Sequence, residues 1–134
     1  MAPDLILENV TVKSDKVTDS QLRNFAADVL HSHNLFSDLS PNNIQEILNF
    51  MFIVETKKDE RVFEEGDMAA CFFLITDGQA EVYIGNEVIR TIGRGSCFGE
   101  LALIYYHNRS ASIEVISEKL TMLCLKARHF KLIM

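Results

Sequence analysis

The sequence has no tryptophan, two prolines and three cysteines in 134 residues. An odd cysteine count without CxxC or metal-type spacing argues against a disulfide framework or a zinc module. It leaves Cys71, Cys97 and Cys124 as reduced thiols, with Cys97 and Cys124 among apolar neighbours where a thiol packs as a small hydrophobe. Long hydrophobic runs are missing as well: residues 101–106 and 47–54 are far too short to cross a bilayer. The opening Met1-Ala2-Pro3-Asp4 has neither a basic n-region nor an apolar h-region, so no secretory signal is visible and a cytoplasmic location is expected. Basic charge is scarce: 13 Lys and Arg against 19 Asp and Glu give a formal net charge of −6. Such a chain is a poor general binder of nucleic acid or of anionic membrane, and any anion it holds needs local groups that overrule the global field.

What is present is ordinary globular material, 48% hydrophobic and long enough for one domain with a real core. Residues 1–17 are polar and unpatterned and read as a flexible leader. The domain is expected over 18–134. A helix starts at Thr18 or Asp19, either of which can cap it, and Leu22, Phe25, Ala26, Val29 and Leu30 form one apolar stripe. Ser40-Pro41 is a second helix-start signal, followed by the apolar face of Ile44, Ile47, Leu48 and Met51. Helices are thus expected within 18–50.

From residue 52 the pattern changes to short runs of Val, Ile, Phe and Tyr separated by turns. Asp77-Gly78 predicts a hairpin between strands at 72–76 and 79–84, and Gly85-Asn86 predicts another to a strand at 87–92. Further strands are expected at 110–116 and 120–125, making a β-roll over 52–125, and residues 127–134 begin another helix. The fold class is α+β: helices, then a sandwich or closed roll of short antiparallel strands, then the start of a helix.

The segment from Gly93 to Ser112 stands apart. Its glycines permit sharp turns, and Glu100-Leu101-Ala102-Leu103-Ile104 is a run of helix formers long enough for one or two turns. The start of a short helix buried in a sheet protein offers N–H groups to an anion. Arg109 is placed to return to the same spot and fork onto an oxyanion, and Glu100 to accept from hydroxyls of the same ligand. The same spacing is also compatible with a glycine turn into a core-packed helix, with Glu100 and Arg109 solvated or paired with each other.

Phe98-Gly99-Glu100-Leu101-Ala102-Leu103-Ile104-Tyr105 followed by Arg109-Ser110-Ala111-Ser112 closely resembles the phosphate-binding cassette of cyclic-nucleotide-binding domains. Val62-Phe63-Glu64-Glu65-Gly66-Asp67, Phe72-Phe73-Leu74-Ile75, Asp77-Gly78-Gln79-Ala80-Glu81-Val82-Tyr83 and Leu35-Phe36-Ser37-Asp38-Leu39 extend the resemblance over roughly residues 20–134. The resemblance implies an eight-stranded β jelly roll with flanking helices. It also implies a non-catalytic regulatory module with no cofactor or metal. Glu100 would bind the ribose 2′-hydroxyl and Arg109 the cyclic phosphate. Backbone N–H groups around Leu101, Ala102 and Ala111 would complete the cradle, with Gly99 allowing close approach. Tyr105-Tyr106-His107-Asn108 departs from the small residues and proline usual before the arginine, so the loop there can sit differently.

Within the family, the residue after the cassette arginine is usually alanine in the cyclic-AMP sites of protein kinase A and threonine in the cyclic-GMP sites of protein kinase G. Ser110 offers the hydroxyl, and Arg90 suits guanine O6 or N7. Both favour cyclic GMP over cyclic AMP, and the resemblance is closer to protein kinase G. The implied partner is a serine/threonine kinase catalytic domain, in cis or in trans. The alternatives are a cyclic-AMP domain of a protein kinase A regulatory subunit and the sensor of an ion channel. A cupin-type metalloenzyme would need clustered histidines, whereas His31, His33, His107 and His129 read as ordinary surface or loop residues. No helix-turn-helix follows residue 126 to contact DNA, and no membrane insertion is expected.

Overall fold

Two helix starts are set by their caps. In the computed structural model, which describes residues 8–133, the Asp19 carboxylate accepts from the Gln21 amide at 3.0 Å and opens α1 (Ser20–Ser32). Ser40 Oγ accepts from the Asn43 amide at 3.1 Å and opens α2 (Pro41–Phe50), with proline in the first position, where no N–H is missed. Ile44, Ile47, Leu48 and Met51 are all fully buried, as their spacing requires.

The strands are β1 (Thr11–Ser14), β2 (Phe52–Lys57), β3 (Arg61–Phe63), β4 (Cys71–Asp77), β5 (Ala80–Ile84), β6 (Glu87–Ile92), β7 (Cys97–Phe98), β8 (Ser112–Val115) and β9 (Lys119–Lys126). A one-turn helix α3 (Leu101–Ile104) follows β7, and α4 (Ala127–Ile133) follows β9. They form two antiparallel sheets, ordered β1-β2-β9-β4-β7 and β3-β8-β5-β6. The jelly roll expected from the sequence is therefore present as β2–β9.

Alternation along β4 and β9 divides the core in two. Phe73, Ile75, Met122 and Cys124 point between the sheets, while Phe72, Leu74, Leu123 and Leu125 point outward and are covered by α1, α2 and α4. Phe36 joins the helical layer to that outer face, its ring 5.3 Å from Phe72 and 5.8 Å from Phe130 of α4.

Two expectations fail. The turn at Asp77-Gly78 is not a hairpin: β4 and β5 lie in different sheets. A turn dipeptide fixes only a local reversal. Residues 71–76 are buried throughout and need cover on both faces, whereas β5 keeps Glu81 and Tyr83 on a half-exposed face, so the two strands are sorted to different sheets. Gly78 makes the crossing, and any Cβ there would collide with Lys119 O. By contrast Gly85-Asn86 does close the expected hairpin of β5 and β6.

The second failure is the leader. Residues 1–7 lie outside the described residues, but 8–17 are built into the roll. β1 pairs with β2 in the register Thr11↔Glu55 and Val12↔Val54. The Asn9 amide donates to Val62 O at 2.8 Å and Thr56 Oγ1 donates to Asn9 O at 2.7 Å. The sequence gives no sign of this, because an edge strand exposed on both faces carries no burial pattern.

Candidate functional site

The segment with the cassette pattern is held open by its ends. β7 pairs with β4 through Phe73↔Phe98 and Leu74↔Cys97, which delivers Gly99 and Glu100 to one end of the roll. Gly99 adopts a φ of +82°, in the region that glycine favours. The far end is pinned by the turn before β4: the Arg109 amide donates to Asp67 O at 2.6 Å and Gly66 N–H donates to Arg109 O at 2.8 Å. The unusual Tyr105-Tyr106-His107-Asn108 stretch is braced by the same turn, through a bridge of Asn108 with Met68 and a bond from Ala69 N–H to His107 O.

Between these ends lies a cavity of about 260 Å³ whose wall includes Gly99, Glu100, Leu101, Arg109, Ser110 and Ala111, together with Arg90 of β6. Seven residues singled out by sequence thus meet in one place. Ala102 does not reach it. Ala102 lies on the buried face of α3, and its N–H is already donated to Gly99 O at 3.1 Å, so it is not open to an anion in this conformation. α3 is only four residues long, so its dipole contributes little; the cations on this wall are Arg109 and Arg90.

Arg109 is 4% exposed. Its guanidinium lies 4.0 Å from the centre of the Phe63 ring, a cation–π stacking that fixes its plane. Nη2 donates to Cys71 O at 2.7 Å and to Glu8 Oε1 at 2.7 Å. Burial raises the pKa of the Glu8 carboxyl, against the opposing pull of the Arg109 charge. Gly99 packs on the same guanidinium: a Cβ there would stand 2.6 Å from Arg109 Nη1 and 2.9 Å from Cys71 O.

Several wall residues escaped the sequence reading. His33 and His107, read as ordinary surface or loop residues, both line the cavity, and His33 is locked by a bond from Leu35 N–H to its Nδ1 at 3.1 Å. Phe63, Val82, Phe98 and Ile113 supply an apolar side. Cys97 is there too, its thiol pushed up to about 12 by burial and then by the Glu100 charge, so it packs as a neutral group. Glu8 could have been found by no local signal, being 101 residues from Arg109 in sequence.

The arrangement can hold a small anion with an adjacent hydroxyl and a planar, partly apolar group. Among the described residues no group of three or more His, Cys, Asp or Glu could hold a metal, and no helix is long and apolar enough to cross a membrane.

Comparison with known proteins follows the same line. A family model described as cyclic nucleotide-binding domain matches residues 53–134. The chain is 32% identical over 111 residues to a cGMP-dependent protein kinase of Plasmodium berghei (strain Anka), covering 83% of this chain and 13% of that protein. A regulatory subunit of a cAMP-independent protein kinase A from Trypanosoma brucei, a variant with cAMP in its A site, superposes with a TM-score of 0.79. It is 23% identical, over 92% of this chain and 46% of that one. The regulatory domain of Toxoplasma gondii PKA with cAMP gives a TM-score of 0.77 at 23% identity, over 87% and 46%. The chain spans about an eighth of the kinase's length and under half of each solved structure.

Proposed function

The chain belongs to the cyclic-nucleotide-binding domain family, and from that premise we propose that it is a non-catalytic regulatory module binding cyclic GMP in preference to cyclic AMP. The observation that carries this reading is the meeting of Glu100, Arg109, Ser110 and Arg90 on one cavity. Arg109 supplies the charge for the cyclic phosphate. Glu100, half-exposed at the start of α3, is the acceptor for the ribose hydroxyl. Ser110 and Arg90 are exposed on the same wall, where a hydroxyl can accept from the guanine amino group and a guanidinium can donate to guanine O6 or N7. The contacts to the amino group and to O6 are lost with adenine, which keeps only the N7 acceptor.

The signal would run from the cassette to the helices. α3 lies against α4, and Arg94, just before the cassette, stacks 3.8 Å from the Phe25 ring of α1 while donating to Thr76 O at 2.6 Å. Nucleotide binding would reposition α1 and α4 around a rigid roll and so relieve inhibition of a serine/threonine kinase catalytic domain, in a cytoplasmic protein. The kinase partner rests on the likeness to the Plasmodium berghei protein. The second reading, a cyclic-AMP module of a protein kinase A regulatory subunit, is favoured by the cAMP held in the two solved structures.

Ser110→Ala separates the two readings. A neutral hydrogen bond contributes about 0.5–1.5 kcal/mol, so the variant should bind cyclic GMP roughly three- to tenfold more weakly, with cyclic AMP affinity unchanged. An unmoved ratio of the two dissociation constants, measured by calorimetry, would remove Ser110 as a guanine reader.

A further inference from the structure

The stretch that departs from the family pattern brings a histidine to the phosphate side of the cavity. Asn108 is bridged to Met68, so the chain from His107 to Arg109 runs extended, and residues two apart on an extended chain share a side. His107 and Arg109 accordingly both line the cavity. His107 Nδ1 lies 3.4 Å from Tyr105 O, which can only accept, so Nδ1 carries the hydrogen and Nε2 is the nitrogen left for a ligand. The Tyr105 ring packs beside the imidazole, 5.2 Å between centres, and holds it in place. His33, the other histidine on the wall, is wired the opposite way. Its Nδ1 accepts from Leu35 N–H, a bond that the doubly protonated ring would lose.

The charges around the cavity leave a use for one more cation. Arg109 gives Nη2 to Glu8 and to Cys71 O and keeps Nε and Nη1, buried without a partner among the described residues, for the ligand. The Glu8 carboxylate offsets the Arg109 charge, and Glu100 on the wall offsets Arg90. Cys97 is neutral. A cyclic phosphate therefore adds a negative charge that is balanced only when a neighbouring group takes up a proton. Imidazole is the side chain that does so near neutral pH. The turn that braces His107 turns its carboxylates elsewhere. Asp67 accepts from the Glu64 amide at 2.9 Å, Glu65 accepts from the Gly85 amide at 2.9 Å, and Glu64 lies 3.6 Å from Arg61.

We propose that His107 is a second phosphate ligand of this site, donating from Nε2 in its protonated form beside Arg109, so that nucleotide binding takes up a proton. The inference rests on the cyclic-nucleotide reading above and concerns the phosphate, not the base. A bound anion favours the charged ring, so affinity rises as pH falls.

The test is calorimetric titration of the unaltered chain and of His107→Gln with cyclic GMP and with cyclic AMP, at about pH 6 and about pH 8. The phosphodiester holds a single negative charge across that range, so the change lies in the protein. Glu8, His33 and Glu100 are the same in both chains, so the comparison isolates His107. From the higher pH to the lower, the unaltered chain should gain roughly three- to tenfold in affinity for both nucleotides, and His107→Gln should lose most of that gain. An equal gain in the two chains, or none in either, overturns the proposal. So does a change confined to one nucleotide, which would place His107 at the base. Should His107→Gln not fold, titration of the unaltered chain in two buffers of different ionisation enthalpy decides: proton uptake on binding is expected, and its absence overturns the proposal. An unaltered chain that binds neither nucleotide removes the cyclic-nucleotide reading and this inference with it. Nucleotide binding whose pH dependence ignores the substitution removes this inference alone.

Discussion

Arg109→Lys should lose cyclic-nucleotide binding by roughly 30- to 100-fold while the domain still folds. Hydrogen bonds between charged partners contribute about 1.5–3 kcal/mol, and an ammonium cannot offer two parallel N–H groups to a phosphate. It also cannot stack flat on Phe63, where the guanidinium now lies at 4.0 Å, a contact of about 0.5–1 kcal/mol or more. The lysine can still reach Glu8 or Cys71 O with one donor, so the fold survives as a cation in a buried niche. Titration of both nucleotides against the variant, with its melting temperature as a control, provides the check. Affinity within about threefold of the unaltered chain, from a folded variant, would mean that phosphate is held elsewhere.

Gly99→Ala should have the next largest effect, and for two separable reasons. A φ of +82° costs an alanine about 1–2 kcal/mol in backbone conformation alone. In addition the new methyl would stand 2.6 Å from Arg109 Nη1 and 2.9 Å from Cys71 O, one a side-chain tip and the other backbone. The guanidinium can move only by giving up Nη2's bonds to Cys71 and Glu8. We expect a fall in Tm of roughly 5–10 °C and a binding loss of at least about tenfold. Gly85→Ala is the matching control, since Gly85 has a φ of +61° with nothing within 4 Å of its would-be Cβ. It should cost some stability and leave nucleotide affinity alone. Equal binding losses in the two variants would show that the close approach to Arg109 is immaterial.

The site was legible where it is contiguous in sequence. Gly99, Glu100, Leu101, Arg109, Ser110 and Ala111 fall within thirteen positions, and one turn of helix plus a braced loop is enough to bring them to a single cavity. Arg90 was picked out through the family resemblance, and not by its strand pattern: the β5–β6 register shifts between Val82 and Tyr83, just where Arg90 pairs. What sequence could not supply was long-range choice. The dipeptide Asp77-Gly78 specifies a turn but not which sheet the next strand joins, and burial on both faces of β4 settled that. His33 arrives at the wall from the end of α1, and its role depends on how α1 lies over Cys97 and Glu100. Glu8 belongs to a segment with no apolar pattern, and its pairing with Arg109 closes the longest loop among the side-chain bonds described. Polar residues at an exposed edge carry little sequence signal, even when one of them is buried at a charge.

The central claim is that the cavity around Arg109 takes a cyclic nucleotide, and its most direct test is calorimetric titration of the unaltered chain with cyclic GMP and, separately, with cyclic AMP. The account expects saturable one-to-one binding of both, with cyclic GMP tighter by roughly tenfold, about 1.4 kcal/mol. A folded chain that binds neither nucleotide at concentrations up to about 1 mM would contradict it.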